Sequence, residues 1–261
     1  MKTPFLALLF LALPYSLGAE TISLKDGKIS GAKELRRDGN FLFYKPVTSD
    51  GPQAETVTPL NQVERVDFGE QPALDEAREL SKQGDAAGVL EKTAPLAAYF
   101  RTYSDIPGNL WADVMRLRLP ALAVAGAEQQ LAGLQTQWTP TGDQDIDTAY
   151  RLLLAAKNDP TGARTAWKAL AQPGASSLAA GISWLGIGND ALLAKQWKTA
   201  VRAFLSVEVF VTGQSLLQPK ALLGAARAFA QKGDTPKALS LIEEIKTEYP
   251  SYAEEAASVL K

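Results

Sequence analysis

Three carboxylates alternate at Asp143, Asp145 and Asp147, the spacing with which a calcium-binding loop starts to present oxygen ligands. The pattern then breaks, because Thr148 stands where the loop needs a turn-forming Gly and Leu154 where it needs a bidentate Glu. Lying after Gly142 and just before an apolar-periodic segment, the three acids are expected to cap and complement a helix N-terminus. Gly186-x-Gly188-x-x-Ala191 imitates a dinucleotide phosphate loop, but no strand pattern precedes it. Ser23 with Lys25, and Ser81 with Lys82, bring a hydroxyl near an amine without the S-x-x-K spacing of a Ser–Lys nucleophile. Scattered acids such as Asp105 and Asp113 leave a His- and Cys-free carboxylate hydrolase as a third-ranked reading.

Composition closes most other routes to chemistry. The 261 residues contain no His and no Cys, which removes imidazole-based triads, thiolate nucleophiles, disulfides, iron–sulfur clusters and the common zinc sites. The 27 Lys and Arg against 29 Asp and Glu give a net charge of −2, without the basic footprint a nucleic-acid partner demands. At 46% apolar and 21% charged residues the chain can bury a core. The expectation is a non-enzymatic chain with no cofactor and no metal.

The elements that position these residues begin after a targeting segment. Lys2, the apolar run Phe5 to Leu13, Pro14 and the small residues Ser16, Gly18 and Ala19 predict a signal peptide over 1–19, cleaved near Ala19. No Cys follows the apolar run to take a lipid anchor, and no later run is long enough to span a bilayer. A periplasmic or extracellular location follows, and export without Cys suits a bacterial envelope protein stabilised by packing alone.

From 20 to 68 the hydrophobic period is two. Thr21-Ile22-Ser23-Leu24 and Lys28-Ile29-Ser30-Gly31 flank an Asp26-Gly27 turn, and Phe41-Leu42-Phe43-Tyr44 follows the turn Asp38-Gly39-Asn40. After a loop from Pro46 to Gln53, Glu55 to Thr58 and Val63 to Phe68 alternate again, so a small antiparallel barrel or curled sheet is expected. Ile22-x-Leu24-x-Asp26-Gly27, with Gly31 beyond it, resembles the strand–turn–strand opening of SH3-like and Sm-like barrels. Residues 69–72 read as a linker, and from 73 to 261 the period becomes helical.

Within 73–261 a repeat emerges. Trp184-x2-Ile187-Gly188-x2-Ala191 followed by Ala200-x3-Phe204 resembles a tetratricopeptide repeat (TPR), as does Leu222-x2-Ala225-Ala226-x2-Phe229 followed by Ala238-x3-Ile242 and Pro250. Weaker copies start at Trp111 and Asp147, pairing Val114, Met115 and Arg118 with Ala127-x3-Leu131, and Tyr150 with Ala163-x3-Trp167. A degraded first copy has Leu80, Gly84-Asp85 and Val89, with Thr93 where an aliphatic or aromatic side chain is expected. The small residue of each second helix recurs at Val89, Ala127, Ala163, Ala200 and Ala238, in steps of 38, 36, 37 and 38 residues. Closely crossing helices need a small side chain at the crossing, so Ala127, Ala163, Ala200, Ala238, Trp111, Trp184 and Gly188 are expected to pack the repeat. The expected fold is mainly α: a TPR-like α-solenoid of about five hairpins behind the small β-module.

The TPR resemblance implies a protein or peptide ligand held on the concave wall formed by the first helices. The family's groove positions fall on Asn109, Ala112, Arg116 and Leu119; on Ile182, Leu185, Asn189 and Leu192; and on Lys220, Leu223, Arg227 and Ala230. Asn109, Arg116, Asn189, Lys220 and Arg227 are the polar candidates for contacting a peptide backbone or carboxylate, with solvated helix surface as the alternative. Resemblance also implies a scaffold role in cell-envelope assembly. A carbohydrate- or peptidoglycan-associated module using Trp138 or Trp197 is the alternative function.

Overall fold

The computed structural model of the chain describes residues 20–47 and 54–260. The expected signal peptide, the middle of the loop after Pro46 and Lys261 lie outside the described residues. The chain divides into two compact units between Gln71 and Pro72.

The first unit is one five-stranded antiparallel sheet in the order β4-β3-β2-β1-β5. Its strands are β1 (Glu20–Leu24), β2 (Ile29–Asp38), β3 (Phe41–Pro46), β4 (Thr56–Pro59) and β5 (Val63–Asp67), with a 3-10 turn at Leu60–Gln62 before the last. The turn glycines Gly27 and Gly39 have φ of 84° and 54°, conformations that a side chain would strain. The second strand is longer than the sequence pattern implies, running on past Gly31 to Asp38. Ala32 and Leu35 are both buried although three residues apart, which a regular period of two forbids. A register shift between Lys33 and Arg36, with Glu34 at φ 54°, inserts the residue that turns Leu35 inward. Ile22, Leu42, Tyr44 and Val66 complete the core.

The second unit is helical throughout. Its hairpins are α1 (Pro72–Lys82) with α2 (Ala86–Arg101), α3 (Trp111–Ala125) with α4 (Glu128–Gln135), α5 (Gln144–Asn158) with α6 (Pro160–Leu170), α7 (Leu178–Leu193) with α8 (Trp197–Phe210), and α9 (Gln218–Gln231) with α10 (Thr235–Glu248). A short α11 (Ala253–Ala257) ends the unit. The first helices also touch one another in series, α1 on α3, α3 on α5, α5 on α7 and α7 on α9. Side-chain caps fix several helix starts: Asp85 accepts from Gly88 N, Asp159 from Gly162 N and Ser177 from Ala180 N.

The small-residue series holds with one change of register. Val89, Ala163, Ala200 and Ala238 are each the fourth residue of a second helix and wholly buried. Ala127 is instead the N-cap of α4 and only half-buried, and Leu131 takes the equivalent fourth place. The even spacing of the second copy is therefore coincidental: a longer α2 and its following turns displace the hairpin, and a larger side chain fills its crossing.

Glycine notches set the closest approaches. A Cβ on Gly188 of α7 would lie 2.6 Å from the Phe204 ring, and one on Gly224 of α9 would lie 2.5 Å from it. Phe204 of α8 is thus clasped between the first helices of its own hairpin and the next. Gly186 receives the Trp167 ring of α6 in the same way, at 2.5 Å. Trp111 and Trp184 are buried, as packing demands of them.

The first and last hairpins also meet. A Cβ on Gly84, in the α1–α2 turn, would lie 3.1 Å from both Pro219 of α9 and Tyr249. The α1–α2 turn therefore reaches the last hairpin at this point, which an open stack would hold apart. Ile182, Leu185, Leu119 and Leu223, expected on a ligand-facing wall, are buried. At the C-terminal end Leu222, Ile242, Ile245, Tyr249 and Ala256 form an apolar cluster, with Tyr252 and Val259 against it.

Candidate functional site

The five polar candidates separate into distinct roles. Asn109 builds the turn into α3: its Oδ1 accepts from Trp111 N at 2.8 Å, and its Nδ2 donates to Ile106 O at 2.6 Å. Arg116 donates to Asp143 Oδ2 at 2.5 Å, joining α3 to the start of α5. Partial burial pushes the Asp143 carboxyl up, but the Ile146 N–H and Arg116 outweigh it and hold the group below the usual carboxylate range. Arg227 Nη2 and Lys220 Nζ converge on Glu255 Oε1 at 2.8 and 3.3 Å, tying α9 to α11. Asn189 is exposed on α7.

Two of the five share a concavity. Asn189 and Lys220 line a groove of about 370 Å³ formed mainly by α5, α6 and α7, with Lys220 reaching it from α9 and Ile182 and Leu185 among its apolar lining. Leu193, 84% exposed, projects at the end of α7 on the same groove. Arg164 and Trp167 of α6 form another side. Arg164 clasps Asp190 through Nε and Nη2 at 2.8 and 2.7 Å, which fixes the groove's edge. The Trp167 indole N–H is buried and has no hydrogen-bond partner among the described residues. Arg164 and Trp167 escaped the sequence reading because a first-helix pattern cannot see a neighbouring second helix, the Trp167 match after Ala163 being the available signal; Leu193, on α7 itself, falls one place past the last groove position, Leu192.

The alternating acids are structural. Asp143 Oδ1 accepts from Asp145 N and Ile146 N, and Asp147 Oδ1 accepts from Thr141 N and Oγ1. Asp145 reaches out of its own helix to accept from Leu178 N at 2.8 Å and Ala179 N at 2.9 Å, capping α7. All three carboxylates are engaged with donors, and among the described residues no cluster of His, Cys, Asp or Glu has the arrangement of a metal site. Gly186 and Gly188 are the ring notches of α7 rather than a phosphate loop. Trp138 lies stacked on Tyr150 at 3.7 Å, and Trp197 is half-buried at the start of α8. Among the described residues no helix is long and apolar enough to cross a membrane.

Compared with protein-family models, curated proteins and solved structures, the chain matches none.

Proposed function

We propose that this chain is an exported, non-enzymatic adaptor of the bacterial envelope, in which a TPR-like array of five hairpins holds a protein partner behind an SH3-like β-module. The observation that carries this reading is the groove beside α7, which gathers apolar side chains, an exposed leucine and two polar first-helix residues within about 370 Å³. Such a site takes an apolar side chain of an extended segment while Asn189 bonds its backbone, with Lys220, paired to Glu255, at its border. Series packing of the first helices supports the TPR-like assignment. The strand order and the 3-10 turn before β5 support the SH3-like one.

The reading is tested by isolating the chain from its host's envelope, with and without Asn189→Ala and Leu193→Asp together, and comparing the co-purifying proteins. A partner retained by the native chain and lost from a double variant of unchanged circular dichroism is the expected result. Identical recovery refutes the groove.

A further inference from the structure

A second concavity lies elsewhere, between α2 and α4 with α3 beneath, and encloses about 660 Å³. Its α2 wall carries Ala87, Leu90, Ala94 and Ala98, one helical stripe of alkyl groups rising about 16 Å at 1.5 Å per residue. Trp111 and Leu134 close the other sides. Into this apolar setting α3 brings Arg118, only 6% exposed. Its Nη1 donates to Leu90 O and to Thr93 Oγ1, each at 3.0 Å, while Nη2 makes a long 3.4 Å bond to Gln130 Oε1. Nε is buried without a partner, and no carboxylate pairs with Arg118 among the described side chains. Burying an unpaired guanidinium costs several kcal/mol, so this arrangement is not one that packing alone would select.

The unfilled edge has a recognisable complement. Elsewhere in the chain, the Nε/Nη2 edge of arginine takes a carboxylate through both oxygens, Arg36 with Glu55 at 3.2 and 2.9 Å and Arg164 with Asp190 at 2.8 and 2.7 Å. In Arg118 that same edge faces only the weakly held amide of Gln130, a residue on the exposed side of α4. Besides Arg118, the described charged groups lining the pocket are Glu91 and Arg101, so cations exceed anions. The remaining wall offers few groups to a peptide backbone, whereas an alkyl chain needs none.

We propose that this pocket binds an aliphatic monocarboxylate, whose carboxylate displaces Gln130 to engage Nε and Nη2 of Arg118 while its chain lies along the alanine stripe of α2. The site is independent of the groove beside α7 and stands whether or not that groove holds a protein.

Calorimetric titration of the intact chain with dodecanoate, below its micellar range, tests the proposal. Saturable one-to-one binding is expected, with dodecanol weaker by about tenfold or more because it cannot satisfy a charged fork. Arg118→Leu is expected to lose about tenfold or more, Arg118→Lys to lose part of that by keeping charge without the fork, and Gln130→Ala to bind at least as tightly as the native chain. The last two variants retain a readout if Arg118→Leu fails to fold. Equal affinity for the acid and the alcohol, no binding of either, or a tenfold loss in Gln130→Ala would each overturn the proposal. So would binding of an apolar peptide with a free C-terminus in place of dodecanoate.

Discussion

Replacing Gly224 with Ala tests whether the glycine notches set the spacing of α7, α8 and α9. The added Cβ would lie 2.5 Å from the Phe204 ring, about 1 Å inside ordinary carbon–carbon contact. The ring cannot retreat, because Gly188 bounds its other side at 2.6 Å and Phe204 is 1% exposed. Overpacking of this kind costs about 1–3 kcal/mol, whereas Gly→Ala within a helix gains up to about 1 kcal/mol from backbone propensity. The net expectation is a loss of between about 0 and 3 kcal/mol. In a Phe204→Ala background, itself costing about 3–5 kcal/mol, the clash disappears and Gly224→Ala should stabilise. Urea unfolding of the four chains, followed by far-ultraviolet circular dichroism, measures the coupling as a double-mutant cycle. A coupling of about 1–3 kcal/mol is expected; a value below about 0.5 kcal/mol would show that the helices are not held apart by that ring.

Three other outcomes follow from the packing. Burial, and then Glu244 and Glu248, raise the Glu208 carboxyl above its ordinary range, and burial with Glu248 raises Glu244. The folded chain therefore holds these protons more tightly than the unfolded one, and that stability is present at low pH and lost as pH rises through the raised values. Glu208→Gln should raise the melting temperature at neutral pH, with the gain vanishing below the ordinary glutamate range; a pH-independent gain would contradict this. Asp145→Ala should cost about 1–2 kcal/mol by uncapping α7 and should speed amide exchange at Leu178 and Ala179, with Asp145→Asn losing less. Ala200→Leu should destabilise by about 1–3 kcal/mol, whereas Ala127→Leu, outside the crossing, should stay within about 0.5 kcal/mol. Comparable losses in both would restore the evenly spaced register.

The helical hairpins were legible because small residues at crossings and large ones beside them leave a periodic trace. That trace failed where a hairpin changed its crossing residue, since Leu131 and Ala127 lie one helical turn apart and share a face. The bulge in β2 was not legible, because Lys33-Glu34-Leu35-Arg36 carries no turn residue and only the burial of Leu35 reveals the phase change. The contact between the first and last hairpins was hidden for a different reason: the approach of Gly84 to Pro219 and Tyr249 joins positions with no local pattern in common. Arg118 left a signal that was available, standing where the repeat pattern has an aromatic residue. Thr93 breaks the pattern of the preceding copy, and the structure places these two departures 3.0 Å apart, in one hydrogen bond.

Several charged groups of the helical unit sit at joints. Arg116 reaches Asp143, Asp145 caps α7, Arg164 holds Asp190, and Lys220 and Arg227 meet at Glu255, each bond linking one hairpin to the next element of the array. The partly exposed ion pairs among these contribute at most about 1 kcal/mol each, so their effect is to select the angle at which apolar notches close. A charged residue on a first helix is consequently poor evidence for a ligand until its joint partner is known. Asn189 serves no such joint in the bonds of its helix and lies on a groove, which is why it keeps its place in the binding site. Arg118 is the converse case: buried deeper than any joint cation, it meets no carboxylate among the described side chains, and the anion that completes it must come from outside them.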